Sequence, residues 1–268
     1  MSVYKNEKAE FLKEALKSIY DNQILKPNEI ILVQDGPLTE ELYKKIDEYV
    51  TKYSGVLRVV PLEKNVGLGN ALNVGLEACS NELVARMDTD DISLPERFKV
   101  QVDYMKDNPD VDVLGSSLLE FENTPDNIIA EKKAPVRNIE DYIKFRNPMN
   151  HPTVIFRRSK VLSAGNYKEI NLFEDYYLWA RMFTKGYKLA NIESPLLYFR
   201  TSLDTYKRRG GMKYVEAECN LQNEFLNIRL ISHFEYFRNI ILRNLGRLVP
   251  NFVRKELYKK ILRSKGKI

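Results

Sequence analysis

The sequence predicts an α/β protein: a doubly wound, mostly parallel central sheet flanked by helices, followed by a C-terminal helical extension. Three observations predict it. Short apolar runs alternate with helical stripes over residues 1–107, the pattern of successive βαβ units. Acidic or Asn/Gly-rich turns follow the strands, at the end where open α/β sheets take ligands. Over residues 225–261 the pattern becomes helical and the charge basic. The boundary falls between 1–215, a large α/β domain, and 216–268, a basic amphipathic extension.

The first strand is short. Met1-Ser2-Val3-Tyr4 reads as the tail of a strand whose front half is missing, because a helix signal follows at once. Phe11, Leu12, Ala15, Leu16, Ile19 and Tyr20 then form a helical stripe within residues 8–22. Residues 29–33 are a buried strand ending at Gln34-Asp35-Gly36-Pro37. Thr39 caps the next helix, whose first-turn acids Glu40 and Glu41 suit its dipole. Residues 56–61 are a third strand, and Asn65-Val66-Gly67-Leu68-Gly69 turns into a helix reaching Cys79. Asn81-Glu82-Leu83-Val84-Ala85 leads to a fourth strand and to Arg86-Met87-Asp88-Thr89-Asp90-Asp91.

Beyond it lies a helix over residues 95–107, for which Asp91 or Ser93 is the N-cap if the acids are only a solvated turn. Residues 111–119 are a strand, 122–133 a polar loop facing an acceptor, and 139–145 a short helix. Two prolines make Asn147-Pro148-Met149-Asn150-His151-Pro152 a rigid turn. Residues 153–157 return as a strand and 160–164 as a helical turn. Glu174 and Asp175 open an amphipathic helix continued by Leu178, Met182 and Phe183. Residues 196–199 are a last strand, followed by the basic loop Lys207-Arg208-Arg209-Gly210-Gly211.

The totals narrow the chemistry. Two cysteines, Cys79 and Cys219, lie far apart and read as reduced thiols of a cytoplasmic protein; with only His151 and His233 besides, a zinc site is disfavoured. There is no uncharged apolar stretch of about 18 residues, as a spanning helix requires, and no secretory signal. Residues 233–268 hold ten Lys/Arg against Glu235 and Glu256, a balance of +8, while the remainder carries −3.

Each polar cluster has two readings. Three carboxylates at a strand tip repel one another, and Mg²⁺ or Mn²⁺ with oxygen ligands relieves the crowding while gripping a diphosphate; the other reading is a solvated acidic turn. Asp35 either accepts from a base or ribose, or serves its own turn. Asp175 either acts as a general base or, with Glu174, caps its helix. The basic loop either closes over a diphosphate or is solvated.

The order of these features resembles family 2 glycosyltransferases with the GT-A fold, over residues 1–211. The motifs that carry the resemblance are Met87-Asp88-Thr89-Asp90-Asp91 with Leu94-Pro95-Glu96-Arg97-Phe98, and Glu174-Asp175-Tyr176-Tyr177-Leu178-Trp179-Ala180-Arg181. Asn150-His151-Pro152-Thr153 matches members that build bacterial surface polysaccharides. The resemblance implies an inverting, non-processive transfer of a sugar from a nucleoside-diphosphate sugar, UDP first, to a glycan or lipid-linked acceptor. It implies Ser2 and Tyr4 bordering the nucleotide, Asp35 and Asn65 at the base, and Asp88 at the ribose. Asp88, Asp90 and Asp91 would hold Mg²⁺ or Mn²⁺, Arg208 and Arg209 would face the leaving group, and Asp175, with Glu174 beside it, would be the catalytic base.

This chain departs from the family at several points. Gln34 stands where an acid is frequent, Pro37 where Ser is, and Leu72 where Arg is; Arg200-Thr201-Ser202 replaces a metal-binding His. No Gln-x-x-Arg-Trp motif, a mark of processive synthases, is present. The basic tail suits an anionic membrane surface, which would put a cytoplasmic protein at the inner face of the cell membrane; a packed helix or a homodimer contact accounts for it equally. Nucleic acid is not an expected partner. The rival functions are a metal-dependent phosphatase or phosphotransferase using Asp88, and a non-catalytic binding protein that grips a membrane or nucleic acid through its tail.

Overall fold

The computed structural model describes residues 1–201 and 211–248, with the backbone alone for 244–248. Strands β1 (Ser2–Val3), β2 (Ile30–Gln34) and β3 (Leu57–Pro61) form one parallel sheet in that order. All but the last residue of β2 are buried, so its unbroken apolar run is what a sheet covered on both faces requires. Helices α1 (Ala9–Ile19) and α2 (Glu40–Lys52) make the two crossovers, and α3 (Leu68–Ala78) leads from β3 to the second sheet. The Thr39 hydroxyl caps α2, accepting from the Leu42 amide at 3.4 Å. Helix α3 lies close on β2, where a Cβ added at Gly75 would meet the Val33 side chain at 3.0 Å.

The second sheet is built from β4 (Leu83–Ala85), β5 (Ile92–Ser93), β6 (Val111–Phe121), β7 (Ile128–Lys132), β8 (Ile155–Arg157) and β9 (Lys188–Arg200), in the order β4-β8-β6-β9-β5 with β7 on β6. The α/β class and its flanking helices stand as expected, with mixed strand directions. Parallel pairs are β1–β2, β2–β3 and β6–β9, and the other joins are antiparallel. For β7 the cause is local, since it returns on β6 after a short turn, and a short return forces an antiparallel partner; β8 and β9 reach their antiparallel partners over long separations.

Two local expectations are corrected. The segment expected as a polar loop over 122–133 contains β7, because pairing with β6 satisfies its backbone. Neither Asp91 nor Ser93 caps helix α4 (Arg97–Asp107); its cap is Glu96, without a side-chain bond. Ser93 belongs to β5, and Asp91 is turned toward β9.

The remaining helices are α5 (Ile139–Tyr142), α6 (Arg158–Ser163), α7 (Glu174–Thr184), α8 (Met212–Asn227) and α9 (His233–Leu248). Leu178 and Trp179 of α7 share a core with Leu221 and Phe225 of α8, and Tyr176 meets Phe225 edge-on at 4.8 Å. The twice-punctuated turn before β8 is a 3-10 turn at His151–Thr153. Between the two sheets lies a cavity of about 520 Å³, lined by Met1, Ile31, Leu76, Leu83, Val84 and Phe98 among others. The Met1 ammonium, at its edge, donates to the Ile31 carbonyl at 3.0 Å, and burial lowers its pKa to about 6. Among the described residues no helix is long and apolar enough to cross a membrane.

Candidate functional site

Strands β1, β2 and β4 all end at one edge, so the turns after them meet there. Just past β4, one ligand atom each from Asp88, Asp90 and Asp91 lies within 4.8 Å of the others. Such closeness is tolerable only with counter-charge or protonation. Arg86, two positions before Asp88 and only 5% exposed, grips both oxygens of Asp88 in a fork. Burial, then the charge of Asp88 and of Glu7, pushes Asp90 up to about 7. Asp91 is fully buried and raised well above the usual carboxylate range, first by burial and then by Asp88 and Asp90.

The backbone of β9 supports this turn from below. The Arg200 amide donates to Asp91 Oδ1 at 2.8 Å, and the Arg200 side chain donates to the Asp90 carbonyl at 2.8 Å. Its guanidinium lies between the rings of Phe11 and Phe121, 4.0 and 4.6 Å from their centroids, and pairs with Glu14. Arg200 is therefore a structural clamp, at the place where the family resemblance leads one to expect a metal-binding His. Asp91 Oδ2 is left buried without a hydrogen-bond partner. An orphaned carboxylate oxygen beside two further carboxylates is an oxygen-only donor set, and it fits Mg²⁺ or Mn²⁺.

The second group opens α7. Asp175 Oδ2 accepts from the Asn147 side-chain amide at 2.7 Å and Oδ1 from the Tyr176 amide at 2.7 Å. Burial raises the Asp175 pKa against the pull of these donors, and burial with the charge of Asp175 brings Glu174 to about 7. Glu174 packs on Gly69 at the start of α3, whose position a Cβ would meet at 3.5 Å. Arg86 joins the two groups: its field acts on Asp88, Asp90, Asp91, Glu174 and Asp175 alike. Tyr167 and His151 line the space between, 2.9 Å apart through the Tyr167 hydroxyl and His151 Nε2. Burial keeps that imidazole neutral.

The third group lies at the end of β2. Asp35 does not serve its own turn. Its carboxylate accepts from the Val66 amide at 2.7 Å and from Asn65 Nδ2 at 2.9 Å, so it ties the β2 and β3 turns together. Gly36 permits that approach, with φ +82°; a Cβ there would stand 2.5 Å from the Asn65 amide nitrogen. Ser2 adjoins the acid cluster, its carbonyl accepting from the Thr89 hydroxyl at 3.4 Å. Tyr4 is exposed at the end of β1. Leu72 is buried in the core, where it offers a ligand no polar contact. Arg208 and Arg209 lie outside the described residues.

Residues whose part the sequence did not announce are Arg86, Arg200, Asn147, Glu7 and Tyr167. Arg86 alone carried a local signal, since it stands two positions before the first of the acids. Thr89 Oγ1 donates to Glu7 at 2.8 Å, so Glu7 adds a fourth nearby acid.

Comparison with known proteins identifies the family and the fold. The family described as Glycosyl transferase family 2 matches residues 2–165. The UDP-Gal:alpha-D-GlcNAc-diphosphoundecaprenol beta-1,3-galactosyltransferase of Escherichia coli is 41% identical over 98% of this chain and 95% of its own length. The amylovoran biosynthesis glycosyltransferase AmsE of Erwinia amylovora is 39% identical over 97% of each. The crystal structure of S. aureus TarS 1-349 in complex with UDP-GlcNAc matches with a TM-score of 0.66 at 19% identity, over 97% of this chain and 74% of that one. GalNAc-T7 with UDP, GalNAc and Mn2+ matches with 0.65 at 16%, over 96% and 53%. At those identities the two structures bear on the fold alone.

Proposed function

The chain belongs to glycosyl transferase family 2 and is a glycosyltransferase of bacterial polysaccharide synthesis with the GT-A fold; from that premise we propose that it moves a hexose from a UDP-sugar to a hydroxyl of a diphospholipid-linked saccharide, one residue at a time and with inversion. UDP-galactose and an acceptor ending in GlcNAc are the first pair to test, since those are the substrates in the name of the 41% identical relative. The family assignment sets aside the phosphatase and the non-catalytic readings. Catalysis is assigned to residues 1–215 and acceptor delivery to the extension, 216–268.

In this mechanism Asp35 and Asn65, with Ser2 and Tyr4, receive the nucleotide at the ends of β1 and β2. Asp88, Asp90 and Asp91 hold Mg²⁺ or Mn²⁺, which when bound supplies positive charge to the departing diphosphate. Arg86 fixes Asp88 in place through its two-pronged fork. Asp175 takes the proton from the acceptor hydroxyl as that oxygen forms a bond to the anomeric carbon. The bond from that carbon to the diphosphate breaks, and UDP leaves with its electron pair. Asn147 and the Tyr176 amide each occupy one oxygen of Asp175 and so fix the direction of its remaining lone pairs. Burial raises the basicity of Asp175, and the charge of Asp175 in turn helps to raise its neighbour Glu174. Arg208 and Arg209 would meet the leaving group from the basic loop.

The observation that carries this reading is the pairing of an incompletely satisfied acid cluster with a separately held Asp175 around one buried Arg86. The test is incubation of the protein with Mn²⁺, UDP-galactose and a GlcNAc-diphosphate lipid analogue. Release of UDP with formation of a β-linked disaccharide is expected. A panel of UDP-, dTDP- and GDP-sugars that yields no transfer to this acceptor would overturn it.

A further inference from the structure

Helix α9 has two faces of opposite character. Toward the protein, Asn239 is fully buried and donates to the Lys144 carbonyl at 2.8 Å and to Gln222 Oε1 at 2.9 Å. Arg243 pairs with Glu218 at 2.6 Å and donates to the Phe145 carbonyl. Away from the protein, Phe234, Phe237, Ile241 and Leu242 are 78, 62, 58 and 53% exposed. Their spacing sets them along one stripe of the helix. Four large apolar side chains held in water on one face mark a contact surface, whereas scattered single ones would not.

Charge selects the partner. The chain from 233 to 268 carries +8, while the rest carries −3. An apolar helical stripe running into a cationic sequence matches an anionic lipid surface, where rings and aliphatic groups enter the acyl boundary and cations meet headgroups. A second copy docking through the same face would bring two +8 segments together, which repulsion opposes. The inner face gives the placement a purpose. Lys144 and Phe145, which hold α9, lie just before Asn147, which holds Asp175.

We propose that α9 lays its Phe234, Phe237, Ile241 and Leu242 face on an anionic bilayer and so presents Asp175 to a lipid-linked acceptor. The bilayer contact stands by itself; its service to the acceptor rests on the function proposed above. The experiment is sedimentation of the full chain with vesicles of phosphatidylglycerol and phosphatidylethanolamine, or of phosphatidylcholine alone. It is run beside a variant with Phe234→Ser, Phe237→Ser and Ile241→Ser, which keeps every tail charge. Wild type should bind the anionic vesicles at least about tenfold better than the neutral ones and lose that binding in high salt; the variant should bind them at least about tenfold less than wild type. Equal binding by both proteins, or no binding by either, overturns the proposal. So does a wild-type dimer that the variant converts to a monomer. A water-soluble acceptor, which needs no bilayer, serves as the folding control and should be glycosylated equally by both. If no acceptor is glycosylated while the vesicle difference holds, the function falls and the surface remains.

Discussion

Two acidic groups built from the same residue types flank Arg86, and they are prepared for different chemistry. The Asp88-Asp90-Asp91 turn is clamped from beneath by Arg86 and by the Arg200 amide, yet one buried oxygen of Asp91 is left without a partner. Asp175 is held by two neutral donors, one to each oxygen, and no cation pairs with it among the described residues. The first arrangement is electrostatically incomplete, and the proposed Mg²⁺ or Mn²⁺ would relieve it. The second is geometrically complete and leaves a carboxylate whose affinity for a proton is raised by burial. What surrounds a carboxylate, more than its position in a motif, decides which role it can take.

The sharpest way to break this contrast is Asp175→Asn. It should lower kcat by about 10²–10⁴-fold, the usual worth of a general base, while the Mn²⁺-dependent rise in Tm with UDP stays as in wild type. A variant that loses both together would merge the two groups into one. Next in size, Asp91→Asn should abolish that Mn²⁺-dependent rise, since it removes the orphaned oxygen's charge, and thermal shift with and without Mn²⁺ reads it directly. Its metal-free Tm should not fall, because the neutral amide no longer repels Asp88 and Asp90.

Asn147→Ala is a milder probe. It should reduce kcat by about ten- to a hundredfold, as expected for one hydrogen bond to a charged group, with the KM for the UDP-sugar unchanged. The smallest expected effect is on stability. Glu174 has its folded pKa raised to about 7, so the folded protein binds that proton more tightly than the unfolded chain does. Its contribution is intact below the unfolded carboxylate range and is lost as pH rises toward 7. Glu174→Gln should therefore gain stability over wild type between about pH 4.5 and 7, by on the order of 2 kcal/mol at the upper end. Denaturant titrations at both pH values measure the difference.

Much of this architecture is legible in the chain. Local periodicity gives β2, α2 and α7, and the Thr39 cap stands as its residue type implies. The acid turn follows its strand at the expected place. What sequence reading misses is held over long separations. Arg200 reaches Asp91 across 109 positions and Asn147 reaches Asp175 across 28, and neither pairing leaves a period or a spacing. Strand β7 hid in a polar stretch because its pairing with β6, not its side chains, stabilises it. Asp91 resembled a helix cap for a similar reason: a capping residue and a buried acid look alike until the distant strand that claims one of them is in place.

The cavity between the two sheets has a mechanical consequence. Apolar side chains line its inner part, so whatever space stays dry there is recovered by the solvent when the chain opens, and the unfolded state occupies less volume. Hydrostatic compression should thus act as a wedge at the seam between β1–β3 and β4, loosening the seat of Arg86 and the acid turn before the core shared by α7 and α8 gives way.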